Sequence, residues 1–235
     1  MATTLHVDRS QLLRSSALLR DLPPAALNEI GQFIRIATFK AGEVVFRKGE
    51  PGRGLMTLVR GRVKITARLA NGRQAVLNVA KPGELFGEIA LIDGGPRTAD
   101  AVVVEDATVL VLDRRDFLPF LEHNPQVSIK LLNVLCERIR QSTVMAEDAL
   151  FLDVPSRIAR TLLRLAGNDS TEIGAGVRIE LRLSQAELGN SAGVTRESVN
   201  RQLRDWRERG LVELDDGRLV LKDVEALRAE IQTSS

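Results

Sequence analysis

From Pro125 to Leu152 the chain carries two apolar stripes on what reads as one long helix, and a single neighbour cannot cover both. Leu132, Leu135, Ile139, Ser142, Ala146 and Ala149 recur at spacings of 3, 4, 3, 4 and 3, which is a heptad seam. Val127, Leu131, Val134 and Met145 make the second stripe and would face the strand-rich region before the helix. Two faces call for two partners, so the pattern predicts a homodimer with twin helices packed along their seams; the alternative is a helix buried within its own domain. Ser142 is the polar exception on the seam. It either sets register at some cost in stability or serves something bound at the interface.

Before this helix the hydrophobic period changes twice. Two short helices are expected first, one over about Gln11–Arg20 and one from the Pro23-Pro24 pair to about Ile34. Between Ile36 and Leu112 short apolar strands alternate with glycine punctuation, including Ala41-Gly42, Arg60-Gly61, Pro82-Gly83 and Gly94-Gly95-Pro96. Asn71-Gly72, set between "VKITARLA" and "RQAVLNVA", is a type I′ hairpin signal. Strands at this spacing suggest a sandwich, jelly roll or small barrel. Within it, "FGEIALIDGGPRTA" puts Glu88 and Arg97 into a segment that otherwise reads as core.

After the helix, Asp153 is placed to N-cap a helix that tolerates Pro155 in its first turn, with Ile158, Leu162, Leu163 and Leu165 buried and Gly167 as its stop. A strand, "VRIELRL", follows. Ser184 and Glu187 form a capping box that opens a helix expected to be very short, because Gly189 and Gly193 bracket it. Thr195 caps the next helix, "RESVNRQLRDWRERG", and Leu188, Ala192, Val194, Val199 and Leu203 face inward. That is a helix-turn-helix. "LVELDDGRLVL" then reads as a hairpin around Asp216-Gly217, completing a winged-helix pattern. Trp206 is expected to anchor this small core.

The second helix presents Arg196, Glu197, Asn200 and Arg201 on one outward face. Arginine suits guanine, glutamate accepts from cytosine and asparagine suits adenine, so the set fits a base code in a major groove. The same residues also suit a solvated helix laced by the i, i+4 pairs Glu197–Arg201, Arg201–Asp205 and Arg204–Glu208. Bulk charge does not decide, since the net charge is +2 and the chain from Asp153 onward holds 13 Lys and Arg against 14 Asp and Glu. The capping box, glycine turn and wing favour double-stranded DNA, with Ser184, Gln185 and Thr195 at helix N-termini against phosphates. Two copies would read an inverted repeat.

Several other chemistries are disfavoured. Cys136 is the only cysteine, so no disulfide or iron–sulfur cluster forms within the chain; Cys136 itself is expected to be a small buried residue. His6 and His123 are far apart and lack metal-ligand neighbours, so no metal site and no catalytic set is expected. Seven Phe, one Trp and no Tyr leave no stacking platform for single strands. No apolar run approaches the roughly 18 residues of a membrane span, so a soluble, reduced, cytoplasmic protein without a membrane partner is expected.

Taken together, "FGEIALIDGGPRTA", "FLDVPSRIARTLLRLA" and "LSQAELGNSAGVTRESVNRQL" resemble, in order, the phosphate-binding cassette, the hinge with its following helix, and the helix-turn-helix of the bacterial Crp/Fnr transcription regulators, on their cyclic-AMP-receptor branch. The resemblance covers the whole chain. It implies an α+β fold with a cyclic-nucleotide-binding β-roll at 1–124, a dimerisation helix and hinge at 125–152 and a winged-helix DNA-binding domain at 153–235. It implies an allosteric ligand, cyclic AMP or cyclic GMP, and no cofactor. Gly87, Glu88, Ile89, Ala90, Arg97, Thr98 and Ala99 would hold it: Gly87 lets the backbone approach, amides around Glu88–Ala90 cradle the phosphate, Arg97 neutralises it, and Glu88 takes the ribose 2′-hydroxyl. Ile65 and Leu77 would wall the pocket. Ser142 and Thr143 match a pair that meets the purine, and Arg138 matches a position near the cassette carboxylate. Thr98, directly after the arginine, resembles domains that accept cyclic GMP. The resemblance also implies RNA polymerase as a partner, through a loop matching Asn168–Gly176. The other reading is a regulator of the same fold that binds DNA without a nucleotide or answers to another effector.

Overall fold

The computed structural model describes residues 9–68, 74–166, 177–178, 184–215 and 218–232. The chain divides into two compact units: Met1–Ala67 with Val79–Arg138, and Arg68–Asn78 with Ile139–Ser235. The division therefore falls inside the long helix, between Arg138 and Ile139, and across the hairpin that carries Asn71-Gly72. The turn of that hairpin lies outside the described residues.

The first unit opens with α1 (Arg9–Arg14) and α2 (Pro24–Gly31). Helix α1 ends sooner than its apolar pattern predicts, because the chain closes instead into successive turns, with Leu19 N–H bonded to the Ser16 carbonyl and Leu22 N–H to the Leu19 carbonyl. Pro24 starts α2, where a missing N–H costs nothing. The sheet holds β1 (Arg35–Phe39), β2 (Val44–Phe46), β3 (Gly54–Arg68), β4 (Gln74–Ala80), β5 (Leu85–Phe86) and β6 (Asp100–Asp113). Strand order is β1-β6-β3-β4, with β2 paired to β6 and β5 to β3. Phe46, Leu58, Val63, Phe86, Ala101, Val103 and Val109 fill one core, where alternate residues of β3 and β6 point inward.

Two helices flank the sheet's last strand: α3 (Glu88–Asp93) before it and α4 (Arg114–His123) after it. The long helix α5 (Pro125–Phe151) then begins, and Val127 and Leu131 join a second core with Leu27, Ile30, Leu55, Leu112 and Phe117. The opposite stripe of α5 stays bare: Leu132 is 59%, Ile139 65%, Leu150 76% and Phe151 77% exposed. Cys136 is exposed as well, against the expectation of burial. It lies four residues after Leu132 and three before Ile139, and so shares their outward side.

The second unit contains α6 (Val154–Leu165), β7 (Val177–Arg178), α7 (Gln185–Ala192), α8 (Arg196–Glu208), β8 (Val212–Asp215), β9 (Arg218–Leu221) and α9 (Val224–Gln232). Asp153 caps α6 by accepting from the Ser156 amide. The wing is a three-stranded sheet in the order β7-β9-β8; the turn at Asp216-Gly217 and the loop 168–176 fall outside the described residues. Ile158, Leu162, Leu188, Val199, Trp206, Leu221 and Leu227 are all but fully buried. Two features depart from the sequence reading. Helix α7 runs straight through Gly189 and stops only at Gly193, whose φ is 65°. A Cβ at Gly189 would sit 3.0 Å from the Val194 carbonyl oxygen, so that glycine serves the turn's close approach rather than ending the helix. Helix α9, absent from the sequence reading, packs Val224 and Leu227 into the core and is capped by Asp223, which accepts from the Ala226 amide at 2.9 Å.

Candidate functional site

In the first unit, Gly87 joins β5 to α3 with φ of 78°, a left-handed conformation that favours glycine. Space requires it too. A Cβ there would lie 2.4 Å from Arg97 Nη1 and 3.3 Å from the Phe46 ring. The next residue, Glu88, is 1% exposed, and Arg97 is 5% exposed. The two do not pair with each other. Arg138 Nη1, from α5, donates to Glu88 Oε1 at 2.7 Å and Nη2 donates to the Leu85 carbonyl at 2.6 Å. Glu88 Oε2 is buried with no hydrogen-bond partner.

Arg97 is a cation among neutral groups. Its Nη1 donates to the Gly87 carbonyl at 2.6 Å, its Nη2 to the Gly54 carbonyl at 2.8 Å, and its Cζ stands 4.2 Å from the centre of the Phe46 ring. Burial pushes the guanidinium below its ordinary value, opposed in part by the negative charges of Glu88 and Glu50. Its backbone is fixed by a pair of bonds to the preceding turn, Arg97 N–H to the Glu50 carbonyl and Gly49 N–H to the Arg97 carbonyl, each 2.8 Å. A fixed, desolvated guanidinium with no carboxylate partner has the chemistry to take an anion. The neighbouring buried carboxylate oxygen is built to accept a hydroxyl proton.

The residues Phe46, Ile65, Phe86, Gly87, Glu88, Ile89, Ala90, Arg97, Thr98, Ala99 and Arg138 line one cavity of about 40 Å³. Nine of the twelve sequence-derived positions line it. Ile65, Gly87 to Ala90, Arg97 to Ala99 and Arg138 come together; Leu77 does not. Leu77 lies in the second unit, where its carbonyl accepts from Arg164 at 2.5 Å. The outer half of β4 has left the first unit there: the Gln74 carbonyl accepts from Asn190 Nδ2 and the Val76 amide donates to Ser191 Oγ. Ser142 and Thr143 also belong to the second unit; both are exposed on α5. Phe46 and the Gly54 carbonyl are parts of the arginine's seat that sequence reasoning missed. Nothing local marks them, because the contact joins strands far apart in the chain.

The second unit supplies the candidate nucleic-acid interface. Ser184 Oγ accepts from the Glu187 amide at 3.1 Å while Ser184 N–H donates to Glu187 Oε2 at 3.0 Å, so the capping box is formed. Thr195 Oγ1 accepts from the Ser198 amide at 3.1 Å. Both hydroxyls are thus engaged in holding helix starts, and Gln185, at the first position of α7, is half-buried. On α8, Arg196, Glu197 and Arg201 are exposed and Asn200 is half-buried, while Val199, Leu203 and Trp206 face the core. Among the described residues none of the three i, i+4 pairs foreseen on α8 closes; Asp205 instead takes Arg209 at 3.1 Å. Among the described residues the guanidinium groups of Arg196, Arg201 and Arg204 have no hydrogen-bond or ion-pair partner.

Residues 36–124 match the cyclic nucleotide-binding domain and residues 156–230 match the Crp-like helix-turn-helix domain. The chain is 32% identical over 217 residues to the CRP-like cAMP-activated global transcriptional regulator of Mycobacterium tuberculosis, a match spanning 92% of this chain and 97% of that one. This chain belongs to the Crp/Fnr family of transcription regulators. The regulator is also 31% identical to the cyclic AMP receptor protein of Thermus thermophilus over 219 residues, covering 93% of this chain and 98% of the other. Among solved structures it resembles the Thermus thermophilus catabolite activator protein, with a TM-score of 0.53, 28% identity and coverage of 93% and 99%. Its relatives are DNA-binding regulators rather than enzymes. Among the described residues no group of three metal-binding side chains occurs, and no helix is long and apolar enough to cross a membrane.

Proposed function

We propose that this Crp/Fnr regulator acts as a homodimer whose affinity for an inverted-repeat operator is raised by a cyclic purine mononucleotide, cyclic AMP or cyclic GMP, and that it serves chiefly as an activator. The observation that carries the reading is the pairing of two buried, incompletely satisfied groups: Arg97 with only neutral partners, and Glu88 with one oxygen orphaned. A cyclic phosphate diester with an adjacent free ribose 2′-hydroxyl satisfies both. Its two non-bridging oxygens suit the guanidinium fork, and its hydroxyl donates to Glu88 Oε2. The Thr98 hydroxyl, which is exposed beside them, adds a donor.

A cavity of about 40 Å³ holds little more than a water molecule, whereas ligand sites run from roughly 300 Å³ upward. Binding must therefore open the cassette. Arg97 would exchange the Gly87 and Gly54 carbonyls for phosphate oxygens, and Arg138 would yield part of its hold on Glu88. Since Arg138 sits on α5, the exchange reaches the helix that ends at Phe151, two residues before the Asp153 cap of α6. Ligand affinity that differs between the two arrangements then shifts their populations, and DNA affinity changes by the same factor.

The bare apolar stripe of α5 supports dimerisation, since Leu132, Ile139, Leu150 and Phe151 would otherwise stand in water. In such a dimer Ser142 and Thr143 would meet the purine, one from each protomer. Arg196, Glu197, Asn200 and Arg201 would read bases in successive major grooves, while the amides at the starts of α7 and α8, beside Ser184, Gln185 and Thr195, meet phosphates. A cytoplasmic partner of this kind would be RNA polymerase. Calorimetric titration with each cyclic nucleotide tests the reading: saturable heat with one of them is expected, and no heat from either would overturn it.

A further inference from the structure

Helix α9 does more than extend the small domain. Glu230, in its last turn, touches two other elements at once. Its backbone carbonyl accepts the Ser156 hydroxyl at 2.8 Å, and its side-chain Oε1 accepts from Arg209 Nη2 at 2.5 Å. Ser156 is fully buried, and its amide is the one that Asp153 caps, so it stands at the very start of α6. Arg209 is the C-cap of α8, and its other guanidinium nitrogen holds Asp205, three quarters of the way along that helix. One residue therefore links the point where the domain begins to the end of the helix that carries Arg196 and Arg201.

We propose that Glu230 is a positioning residue for DNA reading: it fixes the tilt of α8 relative to the first turn of α6, so that a reorientation beginning at Asp153 moves the reading helix as a rigid body. The inference rests on the nucleotide-controlled DNA binding proposed above. Three features favour a positioning role over ornament. The Glu230 side chain is only 18% exposed, although Arg209 on the other side of the pair is 47% exposed, so one member is shielded from water. Arg209 is fastened to both α8 and α9, so its guanidinium cannot follow one without the other. Glycine follows at Gly210 with φ of 75°, and the Leu211 amide returns to the Trp206 carbonyl at 2.8 Å, so the end of α8 is sharply defined and its direction transmissible. The pull of Glu230, and then of Asp205, raises the Arg209 guanidinium above its ordinary value.

The test compares wild type, Glu230→Gln, Arg209→Met and the double variant, all as full chains. Fluorescence anisotropy would follow binding to an inverted-repeat operator and to unrelated duplex, each with and without cyclic AMP. Glu230→Gln and Arg209→Met should each weaken operator binding in the presence of nucleotide roughly threefold to tenfold, and the double variant should be no weaker than either alone, as coupled partners behave. Affinity for unrelated duplex, which depends on charge rather than alignment, and affinity for cyclic AMP should stay within about twofold. A general loss of fold would lower both DNA affinities and the melting temperature together. If wild type responds to nucleotide and the variants match it on the operator, or if the two single effects simply add, the positioning role is refuted. If wild type itself binds the operator equally well without nucleotide, the functional reading fails, and this inference falls with it.

Discussion

Replacing Arg97 by leucine should separate ligand binding from folding more cleanly than any other single change. The guanidinium now donates to two carbonyls and faces no carboxylate. Bound to a cyclic phosphate it would make two charge-assisted hydrogen bonds, each contributing roughly 1.5–3 kcal/mol. Set against the two carbonyl bonds given up on binding, their loss amounts to about 1.5–3 kcal/mol, or roughly tenfold to a hundredfold in Kd. The fold should lose far less. Leucine leaves the Gly87 and Gly54 carbonyls without a donor, which costs about 1–3 kcal/mol, but it also removes a desolvated cation and adds an apolar group beside Phe46. A net change within about 2 kcal/mol shifts the melting temperature of a chain this size by no more than about 8 °C. Isothermal calorimetry gives the first quantity and differential scanning calorimetry the second. The wild-type melting temperature should rise with added nucleotide, as mass action requires, and the variant's should not. A folded Arg97→Leu protein that binds cyclic AMP within threefold of wild type would refute the reasoning.

Three other outcomes follow from the geometry. Gly87→Ala forces a Cβ into a left-handed backbone and to 2.4 Å from Arg97 Nη1, so nucleotide affinity should fall at least tenfold with about 1–2 kcal/mol of destabilisation, measured by the same two calorimetric methods. Ile139→Asp places a charge on the bare stripe of α5, and light scattering should report a shift from dimer toward monomer at micromolar concentration. Arg196→Ala should cost about 1–3 kcal/mol on the operator and relax preference at one base position per half-site, read by binding to a set of substituted operators.

Much of this architecture is written in local signals. The capping residues Asp153, Ser184 and Thr195 do what their positions predict because a cap needs only neighbours three residues away. The two-sided pattern on α5 was likewise legible: Val127 and Leu131 are buried while Leu132 and Ile139 are exposed. What escaped depends on distant partners. Helix α9 has its own cap at Asp223, but its reason for existing is burial of Val224 and Leu227 against α6, some 60 residues earlier in the chain. Leu77 was assigned through the family resemblance, but β4 joins the first unit only at Val79, so Leu77 falls in the second. Cys136 was read as buried from its place next to Leu135 in a helical run, when its spacing from Leu132 and Ile139 put it on the outward side. Glu88 and Arg97 stood out as charges in an apolar segment, and the resemblance put Arg138 near the carboxylate; what only the fold reveals is that Arg97 is left to carbonyls and a phenyl ring.

The most direct test is a titration of the purified protein against a fluorescent inverted-repeat duplex at one fixed salt concentration, with and without saturating cyclic nucleotide. Control by a ligand held between Glu88 and Arg97 predicts a coupling of about 1–3 kcal/mol, seen as a fivefold to 150-fold gain in affinity, and predicts that the gain vanishes in Arg97→Leu. Equal affinity in the presence and absence of both cyclic AMP and cyclic GMP would contradict it.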